Sequence, residues 1–285
     1  VLVLVEGESE REGLATRLAD IGIRAKQYKK RDLVFHNIRA SHDVDRERLS
    51  VLLKVMRGGC DAVVSTLSAA LSYTMPCERL EALSLSISVG DEFSLSELEE
   101  KLASLSFARV EAVEAPGQFA VRGGILDIWT GAEAEPVRVE VFGDEVDRIS
   151  VFDAESQRSV GEGESLSVMP AAEVIIDKEA KARVKKEISS LLFSVTDEIS
   201  KEKLMRELSY LEAGLTLPSR DKYLSLIYKE KENLLSYFTA AFSRSVVFTM
   251  GTNEIREEAT KKSELLLSAV EPLAEAGLLS KSSAA

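Results

Sequence analysis

Three side chains of types that recognise proteins alternate along one short stretch of the chain. Arg138, Glu140 and Phe142 occupy every second position, with valines between them. In an extended strand successive side chains point to opposite faces, so the cation, the anion and the aromatic ring share one face. Arginine beside an exposed aromatic ring is more typical of a protein-binding surface than of a catalytic centre. The pattern therefore predicts a protein-binding face.

The stretch that positions these side chains runs from Pro116 to Phe152 and reads as a short antiparallel meander. Phe119 and Val121 alternate along its first strand, and Arg122 leaves that strand on the opposite side, where it can join the same face. The residues also allow a second interpretation, an ordinary solvated sheet face whose Phe142 is covered by a neighbouring loop. Spacing alone leaves both interpretations open.

Motifs of the common enzyme classes are missing from the sequence. Neither glycine pair, Gly58-Gly59 nor Gly123-Gly124, is part of a G-x-x-x-x-G-K-[ST] phosphate loop, and no G-x-S-x-G or G-x-G-x-x-G follows a predicted strand. Because the amides and the lysine of such a loop hold the phosphates, ATP binding loses its main support. We expect no catalytic residues, no cofactor and no metal in this chain.

The overall charge restricts the class of partner. The 285 residues carry a formal net charge of −12, with 45% hydrophobic and 29% charged residues, which is an ordinary globular composition. A negative field of this size disfavours nucleic acid or an acidic membrane as the main partner. No run of 18 apolar residues predicts a transmembrane helix.

The cysteines and histidines do not form metal-binding patterns. Cys60 and Cys77 lack a C-x-x-C spacing and are typical of buried thiols in a reducing compartment, so we expect a cytoplasmic protein. His36 and His42 lie in a polar loop without a carboxylate partner pattern, which argues against zinc. The chain begins at Val1 inside an apolar strand, so we expect a fragment or a processed chain.

Changes of periodicity divide the chain into four segments. Strands alternate with helices over residues 1–89, which predicts a parallel sheet, whereas residues 90–171 alternate at period two and predict an inserted antiparallel β domain. Residues 172–244 form a charged helical segment, and residues 245–285 return to the first domain. The predicted fold class is α/β, with a parallel-sheet domain, an inserted antiparallel β (α+β) domain and a helical segment.

Four local predictions accompany this division. Val1–Val5 is an apolar run typical of a strand buried on both faces, and Ser245–Met250 is expected to be another. Ser9 and Glu12 have the spacing of a capping box that begins a helix. Leu83–Ser88 is a further strand candidate in the first segment.

The opening stretch also carries a family resemblance. PGQFAVRGGILDIW (116–129) and VRVEVFGDEVDRISVFDAESQRS (137–159) closely resemble the β domain shared by the excinuclease protein UvrB and the transcription-repair coupling factors (Mfd). Residues 41–71 and 217–238 are similar to the coupling factors in particular. UvrB would carry a phosphate loop and a long aromatic-tipped hairpin, and neither is present. The resemblance therefore favours the N-terminal, UvrB-like module of a coupling factor.

This resemblance implies a specific function. The parallel-sheet domain would be a degenerate P-loop, helicase-like domain without ATPase activity, and the β domain would recruit the damage-recognition protein UvrA through Arg122, Arg138, Glu140 and Phe142. A C-terminal domain of the parent chain would mask this surface. RNA polymerase and DNA would be bound only by other domains of the parent, which would also carry the translocase motor.

Two other functions stay open at this point. One is a true UvrB-type excinuclease protein, an ATP-dependent DNA helicase, which micromolar ATP binding would indicate. The other is an α/β scaffold whose β insert has no partner and only packs on its own core. The exposed area of Phe142 decides between this scaffold and a binding module.

Overall fold

The first strand, β1 (Leu2–Val5), is buried along its whole length, as its continuous apolar run predicts. It lies inside a four-stranded parallel sheet of order β12-β1-β3-β2. The computed structural model describes residues 1–31, 43–215, 217 and 219–279. The predicted polar loop with His36 and His42 lies outside these residues.

The chain alternates between helices and strands at first and then changes to consecutive strands. The strands are β1 (Leu2–Val5), β2 (Ala25–Tyr28), β3 (Ala62–Thr66), β4 (Leu85–Ser88), β5 (Ala108–Arg109), β6 (Gln118–Arg122), β7 (Ile125–Ile128), β8 (Val137–Phe142), β9 (Glu145–Phe152), β10 (Ser159–Gly163), β11 (Ser165–Val168) and β12 (Val247–Thr249). The helices are α1 (Glu8–Asp20), α2 (Asp43–Met56), α3 (Leu67–Leu71), α4 (Cys77–Leu83), α5 (Leu95–Ser104), α6 (Lys178–Ser194), α7 (Glu198–Glu212), α8 (Leu224–Ile227), α9 (Leu234–Ala241) and α10 (Thr252–Glu275), with a 3-10 turn at Arg220–Tyr223.

The predicted meander is present. Strands β6, β7, β8 and β9 pair antiparallel in sequence order, inside a six-stranded sheet of order β10-β9-β8-β7-β6-β5. Only β5 runs parallel to its neighbour, β6. The described part of the chain is therefore mixed α/β, with one parallel sheet and separate antiparallel sheets, as the predicted class requires.

Strand β4 lies in a different sheet from the one that the alternation predicts. The strand candidate at Leu83–Ser88 forms, as Leu85–Ser88, but it pairs antiparallel with β11 instead of joining the parallel sheet. Its Ile87 packs in the same apolar cluster as Phe119 and Val139 of the six-stranded sheet. The segment boundaries drawn from composition stay predictions.

Strand β12 returns to the first sheet and pairs parallel with β1. The prediction that it is buried is wrong: Val247 and Phe248 are both exposed, because β12 is the edge strand of the four-stranded sheet. A strand with neighbours on one side only keeps apolar side chains in solvent even when its composition is that of a central strand.

Helix α1 does not begin at a capping box. Its N-cap is Gly7 in an extended conformation, without a side-chain hydrogen bond, and Ser9 already lies inside the helix. The long helices α6 and α7 of the charged segment bury apolar side chains, including Val184, Ile188 and Leu204, in the main core. No helix of the described residues is long and apolar enough to cross a membrane.

Candidate protein-binding face

The face predicted from sequence is built by cross-strand pairs on β6 to β9. Val137 and Val139 of β8 are buried in the core of the sheet, so the alternate residues Arg138 and Glu140 lie on the other face. The register places Arg138 opposite Asp127 of β7, and Glu140 opposite Arg148 of β9. Both predicted residues therefore stand beside a residue of opposite charge.

Asp127 joins the two predicted arginines. Its carboxylate is 0% exposed, and its Oδ1 and Oδ2 accept hydrogen bonds from Arg138 Nε at 2.6 Å and Nη2 at 2.9 Å. Arg122 Nη2 donates to the same Oδ2 at 2.5 Å. The hydrogen bond to Asp127 is the main reason that the pKa of Arg138 is raised above its usual range. The face thus presents two guanidinium groups already fixed on one internal carboxylate.

A second small core supports Arg138 from the side. The Arg138 guanidinium lies over the ring of Phe152, 4.8 Å from its centroid. Phe152 packs with Ala120 and Val113 in a buried cluster on this side of the sheet. The side chain of Arg138 is consequently only 19% exposed, whereas that of Arg122 is 50% exposed. The face is therefore more than a solvated layer of polar residues.

Phe142 ends β8 and is 86% exposed. The hairpin that follows turns at Gly143, whose φ is +68°, and the β8–β9 register shifts between Glu140 and Val141. The interpretation in which Phe142 is covered by a neighbouring loop is therefore wrong. A phenyl ring this exposed, on the same strand as Arg138, has the chemistry of a binding anchor.

Glu140 belongs to a separate charge group. Its Oε1 lies 3.8 Å from Arg148 Nη1, and Arg148 Nη2 lies 2.7 Å from Glu162 Oε1 on β10. All three side chains are solvated, so the attraction among them is weak. Glu140 thus forms its ion pair with Arg148, and it acts on Arg138 only through a Coulombic attraction that helps to raise the pKa of Arg138.

Sequence reasoning missed Asp127 and Phe152. Asp127 stands between the buried Leu126 and Ile128 of β7, so period-two alternation already places it on the arginine face. That signal was available from the sequence, although the pairing with Arg138 also needs the register. The position of Phe152 under Arg138 depends on packing across β8 and β9, for which the spacing gives no sign.

The carboxyl end of the parallel sheet carries carboxylates where nucleotide-binding folds of this class bind phosphate. A cavity of about 210 Å³ there is lined by residues at the end of β1, on α1 and just before α10, including Glu6, Glu10 and the cation Arg17. A Glu10 carboxylate oxygen lies 2.8 Å from the position of a Cβ on Gly7, and one of Glu254 lies 3.2 Å from that of Gly251. Each of the two helix N-termini thus has its own glutamate beside it. Among the described residues, no His, Cys, Asp and Glu side chains cluster as metal ligands would.

Comparisons with known proteins agree with the resemblance seen in the sequence. The family model of the UvrB interaction domain matches residues 85–173. The transcription-repair-coupling factor of Bacillus subtilis (strain 168) is 34% identical over 206 residues, which cover 70% of this chain and 18% of that protein. Those of Myxococcus xanthus and Staphylococcus aureus (strain USA300) are 32% identical over 172 residues and 28% identical over 155 residues. These two matches cover 59% and 54% of this chain, and 14% and 13% of the respective relatives.

The chain spans less than a fifth of the length of these relatives, since 18% is the largest share among the three. The matched segment contains the whole face from Arg122 to Phe142 and includes β4, which pairs with β11 inside it. The resemblance stated from the residues is thereby confirmed: the chain contains a UvrB interaction domain at residues 85–173 and is similar to transcription-repair-coupling factors over more than half of its length.

Proposed function

We propose that this chain is the non-catalytic N-terminal module of a transcription-repair coupling factor, and that its β domain recruits UvrA to lesions where RNA polymerase has stalled. The observation that carries the proposal is the exposure of Phe142, at 86%, on the same strand as Arg138 within the UvrB interaction domain. Exposed aromatic and arginine side chains in one patch are the residue types that dominate binding energies at protein interfaces.

The contacts divide between charge and apolar burial. Arg122 keeps N–H donors that Asp127 does not use, and these donors would bind a carboxylate of UvrA through charge-assisted hydrogen bonds. Phe142 would insert its ring into an apolar pocket of UvrA, and Glu140 with Arg148 would lie at the rim of the interface. Solvated rim charges affect the association rate more than the affinity.

The test is the affinity of this chain for purified UvrA, measured by isothermal titration calorimetry. Phe142→Ala changes an exposed ring, so we expect an intact fold. Arg122→Glu leaves Asp127 its two hydrogen bonds from Arg138 but places a carboxylate next to it, so the melting temperature of this variant is measured first. We expect both variants to bind at least tenfold more weakly, about 1.4 kcal/mol. Matched controls are Phe193→Ala, a 95% exposed phenylalanine on α6, and Arg206→Glu, an exposed arginine on α7. Unchanged affinity for Phe142→Ala and Arg122→Glu would contradict the proposal.

The relatives are more than five times as long as the segment matched here, so the proposal also covers other segments of a longer parent protein. The parallel sheet would be a degenerate, helicase-like domain, because the end of the sheet at which related folds bind nucleotide phosphates is lined by two carboxylates, Glu6 and Glu10, against one cation, Arg17. ATP-driven movement on DNA, contact with RNA polymerase and masking of the Phe142 face by a C-terminal domain would belong to other segments, in a cytoplasmic protein. A fluorescent ATP analogue that binds this chain at micromolar concentration would favour the alternative, a UvrB-type helicase.

A further inference from the structure

The carboxylate of Asp127 is the structural centre of the arginine pair. It is completely buried, yet its three hydrogen bonds within the described part of the chain all come from the two arginines of the face. A buried carboxylate without such partners would be strongly unfavourable, so the ion pairs and the fold of this part of the sheet depend on each other.

The geometry divides the donors of each guanidinium into an inner and an outer set. Arg138 presents its Nε–Nη2 edge to Asp127, and its planar shape therefore directs the Nη1 donors away from the carboxylate. Arg122 uses one Nη2 contact to Asp127 and a long Nη1 contact, 3.5 Å, to the carbonyl oxygen of Glu111. One carboxylate and two guanidinium groups leave a net charge of +1.

We infer that Asp127 is a positioning residue for partner binding, because it holds Arg122 and Arg138 in the geometry in which their outer N–H donors bind a single carboxylate of the partner. This inference rests on the proposed function of the face. Holding long side chains in place before binding removes part of the entropic cost of ordering them at an interface. The chemistry commits the partner's contact to an acidic side chain, with an apolar pocket for Phe142 next to it.

Asp127→Asn separates positioning from simple electrostatic attraction, because the two effects change the affinity for UvrA in opposite directions. The substitution makes the face more positive by one charge, so attraction alone predicts tighter binding to an acidic site. Positioning predicts weaker binding, since the amide keeps only one acceptor oxygen for the two guanidinium groups and turns an NH2 donor toward them. We expect the affinity for purified UvrA to fall at least tenfold, with a faster dissociation rate and an association rate that is unchanged or higher.

The matched control is Asp147→Asn, which makes the same chemical change at an exposed position of β9. We expect its affinity to stay within twofold of that of the original chain. The inference would be overturned if the Asp127→Asn variant bound UvrA as tightly as the original chain or more tightly. If Phe142→Ala weakens binding in the same experiments, the proposed function stands and only the role of Asp127 fails. If Phe142→Ala and Arg122→Glu leave binding unchanged, the proposed function itself fails.

A double substitution keeps the test decisive if Asp127→Asn alone melts below the assay temperature. Asp127→Asn with Arg138→Gln removes both charges of the buried pair and leaves two amides that can hydrogen-bond to each other. Its affinity is compared with that of Arg138→Gln, in which Asp127 still holds Arg122. We expect the double variant to bind at least threefold more weakly. Equal or tighter binding would overturn the inference.

Discussion

Arg48 of α2 and Glu173 at the end of the UvrB interaction domain form an ion pair in which both side chains are 0% exposed. Arg48 Nε and Nη2 donate to the two carboxylate oxygens at 2.7 and 3.0 Å, and Nη1 donates to the carbonyl oxygen of Lys29 at 2.7 Å. The guanidinium also lies 4.1 Å from the centroid of the Tyr28 ring. The pair thus links the parallel-sheet segment to the end of the β domain.

Loss of one partner of this pair is expected to destabilise the fold strongly. Arg48→Met removes both side-chain hydrogen bonds to the buried Glu173 carboxylate and leaves it, among the residues that the structure describes, only the Coulombic attraction of Arg31. Loss of one partner of a buried ion pair costs about 3–5 kcal/mol in typical cases. The measurement is the free energy of unfolding in urea. Arg48→Met combined with Glu173→Leu should recover much of the loss, because no unpaired charge then remains. A single variant as stable as the original chain would show that water or another cation reaches Glu173.

The turn between β6 and β7 supports the binding face through a close backbone contact. A Cβ on Gly124 would lie 2.5 Å from the carbonyl oxygen of Val141, and the Gly124 carbonyl accepts the Val141 N–H at 2.7 Å. Gly124→Ala must therefore push β8 away next to Phe142. We expect a loss of stability of about 1–3 kcal/mol, the usual cost of overpacking, together with weaker UvrA binding.

Gly161→Ala is the matched control for this turn, because a Cβ at that position of β10 meets no atom within 4 Å. Thermal unfolding and calorimetry of both variants check the prediction. Equal melting temperatures for the two variants would indicate that the β6–β7 turn moves without cost.

The arginine face shows what alternation can and cannot predict. Period-two spacing placed Arg138, Glu140 and Phe142 on β8 and buried Val137 and Val139, because the side-chain direction in a strand is set locally. The partners of those side chains depend on register: Asp127 meets Arg138 only because β7 and β8 pair as they do. A pattern along one strand contains no information on that pairing.

Missing information on strand pairing also explains why the sequence predicts the wrong sheet for β4. A short apolar strand between two helices is compatible with a parallel sheet, but β4 pairs with β11, which lies nearly eighty residues later in the chain. Local propensity cannot choose between two sheets that are both within reach. For β12 the sequence predicts the right sheet but the wrong burial. Its apolar composition indicates a strand, whereas its position at the edge depends on which other strands are present.

Asp61 is expected to make stability depend on pH in the acidic range. Arg24 donates to its carboxylate from Nε at 3.1 Å, from Nη2 at 2.7 Å and from its backbone N–H at 2.9 Å. Mainly through the side-chain hydrogen bond, Arg24 lowers the pKa of Asp61 from 3.8 to about 2. A pKa that is lower in the folded state gives stability that is fully present above about pH 4 and is lost as the pH falls toward 2.

The measurement is the melting temperature of the original chain and of Asp61→Asn between pH 6 and pH 3. The original chain should melt higher at pH 6, and the difference should narrow as the pH falls below 4. A difference that stays constant over this range would show that Asp61 acts through its shape and hydrogen bonds rather than through its charge.

The two cysteines are expected to differ in reactivity. Cys77 is buried at the start of α4, and burial together with the neighbouring Glu232 raises the pKa of its thiol to about 12. Burial also raises the pKa of Cys60, but this thiol is partly exposed beside the Gly58-Gly59 turn. Because the thiolate is the reactive form, the disulfide reagent DTNB should modify Cys60 slowly and Cys77 only after unfolding.

One thiol should therefore react in buffer and two in urea, whereas Cys60→Ser should leave none reactive in buffer. A native Cys60→Ser chain that reacts readily would show that the Cys77 end of α4 opens in solution, and would contradict the buried position of this thiol.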